Sequence, residues 1–304
     1  MGHRCGQGCG TFKITFCGGD DFLSLPDIKK YYRINKEENM ELFQQEHSLI
    51  DSFNKLAEIY DDTTDDFSHE IIHYIHTQNM ANEFPPPGKD INLLDLGGGT
   101  GKYSIILSKM GYNVTLADIS DQSLEIARIN IEKENLNIKI LNSSGENLPI
   151  ENEAYDIIVM IGGVINYTPN PEKLIQECKR VLKKGGILYF DFMNTMGWGN
   201  EIPEYKFRLE IIEAKTKLIQ MDDWDYPARL FNCKYMEEII KNTGLKIKSK
   251  YGLLNAVTSL PLNIRYGKEY DEETLKRYKK KELELSRDNE CYGTSWSCII
   301  AAIK

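Results

Sequence analysis

Three groups of residues in this chain have types and spacings that could do chemistry. The first is Leu93-Leu94-Asp95-Leu96-Gly97-Gly98-Gly99-Thr100-Gly101. Glycine lets a chain turn sharply and lets a ligand come close to main-chain N–H groups. A glycine cluster between an apolar run and a helical pattern is the opening of a nucleotide-binding βαβ unit. A phosphate-binding loop would need Ser or Thr at Tyr103 and glycine at Leu96. A dinucleotide fingerprint would need glycine at Lys102 or at Ser104, depending on register, and neither is glycine. The second group is His69-Glu70-Ile71-Ile72-His73, with His76 on the same helical face. That spacing matches a zinc hydrolase motif, two ligands with a glutamate base. The third is Cys5, Cys9 and Cys17, whose spacing fits no zinc pattern.

Residues 91–96 have the length and composition of a buried parallel strand. Residues 102–110 read as a helix that stops at Gly111. Residues 114–118 read as a second strand ending in Asp118, where an acid can bind ribose hydroxyls. Ser120 can cap the next helix, whose apolar stripe is Leu124, Ala127 and Ile131. Residues 138–141 read as a third strand and 155–160 as a fourth. Asn170-Pro171 opens a helix with a cap and a first-turn proline, and Lys183-Lys184-Gly185-Gly186 reads as its end. Residues 187–192 make a fifth strand, and 245–249 and 297–303 the last two.

Asp95-x-Gly97-x-Gly99-x-Gly101, followed by Asp118 at the next strand end, resembles the first motifs of the class I, Rossmann-like S-adenosylmethionine-dependent methyltransferases. The likeness runs along about 250 residues. It implies an α/β fold, with a doubly wound, seven-stranded, mostly parallel sheet whose last strand is antiparallel. It implies S-adenosyl-L-methionine as cofactor, a small-molecule acceptor and a Rossmann-like domain over residues 51–304. The cofactor contacts it implies are Tyr60, Asp95, Gly97, Gly99, Gly101, Asp118, Ile119, Ser144, Gly145, Glu146 and Ile161. The family places an acid where Ser144 stands. Tyr60 follows a helix over residues 53–59 that resembles the family's N-terminal helix, and the loop 161–167 faces the transferred methyl, with Tyr167 the candidate catalytic group. Two alternatives stand beside methyl transfer. One is a cofactor-binding protein without transfer activity. The other is a zinc hydrolase acting through His69, Glu70 and His73, although the glycine loop predicts no metal site.

Residues 1–50 are expected to form an extension, glycine-rich at its start. Two insertions, about 195–230 and 253–292, follow the fifth and sixth strands. They form the expected cap, with Trp198, Trp224, Tyr266, Tyr270 and Tyr278 as candidate pocket walls. All five histidines lie at or before His76, so a histidine base could come only from the N-terminal helices. The net charge of −9 argues against a nucleic-acid partner. No apolar run reaches membrane-spanning length and no secretory signal opens the sequence. Seven scattered cysteines point to a reducing, cytoplasmic compartment.

Overall fold

A computed structural model describes residues 32–33, 46–88, 90–201, 205–221 and 226–304. Cys5, Cys9, Cys17 and Trp224 lie outside the described residues. Seven strands form one sheet: β2 (Asn92–Leu96), β3 (Asn113–Asp118), β4 (Lys139–Asn142), β5 (Tyr155–Met160), β6 (Leu182–Met193), β9 (Lys246–Leu253) and β10 (Ser297–Ile303), in the order β4-β3-β2-β5-β6-β10-β9. β2 to β6 are mutually parallel. β10 runs antiparallel to both β6 and β9. A second sheet joins β1 (Tyr32–Arg33), β7 (Thr216–Met221) and β8 (Ala228–Phe231).

The parallel strands alternate between two buried faces, so they read as continuous apolar runs. Leu93, Ile157, Val159 and Ile299 point to one cluster, while Leu94, Ile158, Met160 and Ile300 point to the other. The first face is covered by α2 (Phe67–Glu83), α3 (Lys102–Lys109), α4 (Asp121–Lys133) and α11 (Glu272–Ser286). The second is covered by α6 (Pro171–Val181) and α9 (Cys233–Thr243).

Side-chain caps fix where these helices begin. Ser120 accepts the Ser123 amide and Asn170 the Lys173 amide, as the sequence predicts. One boundary differs. Residues 183–186 do not end α6; the helix stops at Val181 and the chain passes directly into β6. Lys183 is held there by Asp156 at 2.7 Å, so its charge serves an ion pair instead of the helix end.

The helix expected over residues 53–59 is longer at both ends, as α1 (Glu46–Thr63), and breaks before α2, where Asp66 caps the new start. The first insertion contains α7 (Thr195–Glu201), α8 (Tyr205–Glu213) and the β7–β8 hairpin. Trp198, Phe207, Ile211 and Ile219 from it pack with Leu49 of α1 and with Tyr167. The short helices α5 (Val164–Tyr167), α10 (Leu262–Arg265) and α12 (Asn289–Tyr292) complete the chain.

Candidate functional site

The carboxyl ends of β2, β3 and β5 open into a cavity of about 630 Å³. Open α/β sheets bind their ligands on this edge, and the volume suits a small-molecule site. The glycine loop forms the floor. Gly97 and Gly98 amides donate to the Ala117 carbonyl at 2.7 and 3.2 Å, which ties the loop to the end of β3. Gly97 has φ +73°, and a Cβ there would stand 2.5 Å from a Val164 methyl, so only glycine fits. Gly99, φ +54°, differs: a Cβ there would meet nothing within 4 Å. Its open side is cavity.

Asp118, 9% exposed, stands at the end of β3. Its Oδ2 accepts the Gly99 amide at 2.9 Å and its Oδ1 the Ser120 amide at 2.9 Å. Each oxygen keeps acceptor capacity for a ligand hydroxyl. Burial pushes its pKa up, against the backbone donors that pull it down.

Asp95 is placed otherwise. It is buried beneath the loop, accepts the Ser104 hydroxyl at 2.7 Å and does not line the cavity. Burial raises its pKa to about 6, opposed by the Ser104 hydrogen bond and helped by Asp118. Gly101 is the N-cap of α3 at φ +90° and also lies off the cavity wall. Tyr60, Gly97, Gly99, Asp118, Ile119, Ser144, Gly145, Glu146, Ile161 and Tyr167 all line it. Ser144 accepts the Glu146 amide at 3.4 Å, and Glu146 accepts the Thr168 hydroxyl and the Asn170 amide.

Beside the expected Tyr60, the apolar wall comes from four residues of the same helix that the sequence reading did not single out. Leu49, Phe53, Leu56, Ala57 and Tyr60 of α1 line the cavity. Their spacing is a helical stripe, and that periodicity was the available signal. Two latches hold α1 across the mouth. Ser120 donates its hydroxyl to Asn54 Oδ1 at 2.7 Å, and Thr100 donates its hydroxyl to Asp61 Oδ1 at 2.6 Å.

Phe53 meets Tyr167 edge-on, with centroids 5.3 Å apart. Burial, with nearby carboxylates, pushes Tyr60 up to about 12. Burial, with Tyr60 and Asp191, pushes Tyr167 higher still. Both remain phenols at neutral pH, so Tyr167 can orient an acceptor but is a poor base.

Of the expected aromatic cap walls, Trp198, Tyr266, Tyr270 and Tyr278 do not line the cavity. Trp198 is buried and stacks on Trp296 at 4.7 Å. Tyr270 and Tyr278 pack edge-on against Phe67 of α2, and Tyr266 is half exposed. These contacts fill the space between the insertions and the helices, which is packing work.

The three histidines of α2 have separate partners. His69 Nδ1 pairs with Asp66, His73 Nδ1 with the Tyr103 hydroxyl at 2.7 Å, and His76 Nδ1 with the Tyr189 hydroxyl at 3.0 Å. Among the described residues no group of three metal-ligating side chains converges.

The residues fit an adenosine-bearing sulfonium. A carboxylate with spare acceptor capacity, able to take sugar hydroxyls, lines the cavity at the end of β3. The Gly99 face is open to a close ligand, and aromatic rings that favour a cation flank the wall.

Known proteins point the same way. The methyltransferase-domain family matches residues 94–190. An uncharacterised protein of Methanocaldococcus jannaschii is 29% identical over 64% of this chain and 80% of its own. The ubiquinone/menaquinone biosynthesis C-methyltransferase UbiE of Zymomonas mobilis is 28% identical over 66% of this chain and 85% of its own. A Thermotoga maritima structure described as an S-adenosylmethionine-dependent methyltransferase superposes with a TM-score of 0.54. It is 19% identical and covers 84% of this chain and 99% of that one, a likeness of fold. The sheet order, the glycine loop, the methyltransferase-domain match over residues 94–190 and these relatives support a class I, Rossmann-like S-adenosylmethionine-dependent methyltransferase.

Proposed function

We propose that this enzyme methylates a small, largely apolar acceptor, held between α1 and the loop after β5. The observation that carries this reading is the two-sided cavity, polar along the strand ends and apolar along α1. Asp118 binds the ribose hydroxyls, and Gly99 leaves room for the sugar. The loop 143–147, with Leu96 and Leu174 beside it, takes the adenine.

The cofactor supplies a methyl group already activated as a sulfonium, so the chain contributes chiefly orientation and proximity. Phe53, Leu56 and Ile119 exclude water from the acceptor side. Tyr167, a neutral phenol on the cavity wall, orients the acceptor. No step requires Tyr167 to lose its proton. A nucleophile that is already unprotonated, or that ionises readily, suits such a site. The C-methylation named for the Zymomonas relative is one such chemistry.

The net charge of −9 supports a small organic acceptor over a nucleic acid. The free buried Cys178, Cys233 and Cys298 support a reducing, cytoplasmic setting. The test is S-adenosylhomocysteine release with a metabolite extract split into organic and aqueous fractions. Activity is expected with the organic fraction. Activity with the aqueous fraction alone contradicts the acceptor class, and activity with neither favours a binding protein without transfer.

A further inference from the structure

Asp191 sits near the carboxyl end of β6, 5% exposed. Its Oδ1 accepts the Gly163 amide at 2.8 Å and its Oδ2 the Gly162 amide at 3.3 Å. The two glycines have φ of +73° and +91°, so successive amides turn toward one carboxylate. Gly162 lines the cavity, and a Cβ on it would stand 3.5 Å from the Tyr60 hydroxyl. The turn that closes this end of the cavity is therefore shaped by a carboxylate behind it.

His76 of α2 is fully buried behind that carboxylate. Its Nε2 lies 3.4 Å from Asp191 Oδ2, and its Nδ1 faces the Tyr189 hydroxyl at 3.0 Å. Tyr189 and Asp191 are two residues apart on one strand, so they share the face beneath α2. Nδ1 hydrogen-bonds with the Tyr189 hydroxyl, while Nε2 faces the Asp191 carboxylate at ion-pair range without a hydrogen bond. The His76 ring also meets the Tyr103 ring edge-on at 5.7 Å. His76 of α2 thus packs directly behind the carboxylate that holds the cavity turn.

The sheet order decides what meets that turn. β5 lies on the side of β2 opposite β3. A ligand with its ribose on Asp118 and its adenine toward β4 extends its other arm over Gly97 to Gly162. There the Tyr60 ring and the Asp191 carboxylate favour the ammonium of a zwitterionic amino-acid arm.

We propose that Asp191 and His76 are positioning residues for this arm: His76 fixes the Asp191 carboxylate, which sets the Gly162 and Gly163 amides against which the amino-acid end of the methyl donor lies. This assigns His76 a role in cofactor geometry in place of a metal, and it rests on the cofactor orientation proposed above.

The test is calorimetric titration with two probes. S-Adenosylhomocysteine carries the amino-acid arm; 5′-deoxy-5′-methylthioadenosine has the same adenosine and sulfur without it. Asp191→Asn is expected to weaken the first about tenfold or more, because one of the two glycine amides loses its charged acceptor and the turn beneath the arm shifts. The second is expected to change less than about twofold, since none of its contacts is removed. His76→Phe is expected to shift the ratio in the same direction, and His76→Gln to restore part of it. Equal weakening of both probes, or of neither, overturns the proposal. Should Asp191→Asn fail to fold, the Phe and Gln variants of His76 carry the same comparison. Failure of the unaltered enzyme to bind either probe instead overturns the cofactor orientation, so the two failures are distinguishable.

Discussion

Single residues set the sharpest expectations. Asp118 offers both oxygens to the cavity while two backbone amides hold it in place. Asp118→Ala should weaken S-adenosylhomocysteine binding by about 1–3 kcal/mol, the cost of hydrogen bonds to a charged group. An isothermal titration measures this; unchanged affinity would move the ribose elsewhere. Gly99→Val should be more damaging than Asp118→Ala. A branched side chain would project into open cavity from a φ of +54°. Binding of S-adenosylhomocysteine by Gly99→Val at native strength would show that the ligand does not pass over this loop. Asp95 was read from the sequence as a ligand contact, because an acid at a strand end before a glycine loop can face a ligand. Its side chain instead turns down to Ser104, a choice of rotamer and partner that spacing does not encode.

At the level of elements, the seven strands of the main sheet were legible, because apolar runs bounded by glycine and acidic residues mark parallel strands, whereas the small β1-β7-β8 sheet was not. β5 and β10 fall at the expected residues, and the Ser120 and Asn170 caps stand where their side chains predicted. The acceptor wall was less legible. Attention to the long insertions favoured Trp198, Tyr270 and Tyr278, whereas the cavity takes its apolar side from α1. Aromatic content alone does not separate a pocket wall from a packed core, since both bury the same rings.

Two consequences follow for variants. Phe53→Ala should lower turnover of an apolar acceptor while leaving S-adenosylhomocysteine affinity nearly unchanged, because Phe53 faces the cavity from α1 and lies off the glycine loop. Equal loss of both would make α1 part of the cofactor site. Trp198→Ala, by contrast, removes a buried ring stacked on Trp296 and should cost about 3–5 kcal/mol of stability. Urea unfolding checks it, and a loss under about 1 kcal/mol would mean that the cluster relaxes around the gap.

Across the whole molecule, two buried groups make opposite contributions to stability in acid. Asp95 has its pKa raised to about 6, so the folded state holds a proton that the unfolded chain releases near its ordinary 3.8. Its contribution is fully present below about 4 and is lost as pH rises through 6. His73 has its pKa lowered by burial to about 3 from an ordinary 6.5. Its contribution is present above 6.5 and is lost as pH falls toward 3. Between pH 4 and 6 the two slopes oppose. Asp95→Asn should therefore make stability fall more steeply on acidification over that window, and His73→Phe should make it fall less steeply. Melting temperatures at pH 4, 5, 6 and 7 read both signs, and parallel curves for the three proteins would contradict the burial of these groups.

Binding of S-adenosylmethionine at the edge of this sheet, through the Gly99 and Asp118 surface, is the central proposal. Calorimetric titration of the purified chain with S-adenosylmethionine, NAD and ATP tests it most directly, run beside Asp118→Ala. Saturable one-to-one binding of S-adenosylmethionine, weakened in the variant, with no heat from NAD or ATP, is the predicted result. Tighter binding of NAD or ATP, or S-adenosylmethionine binding indifferent to Asp118, would contradict it.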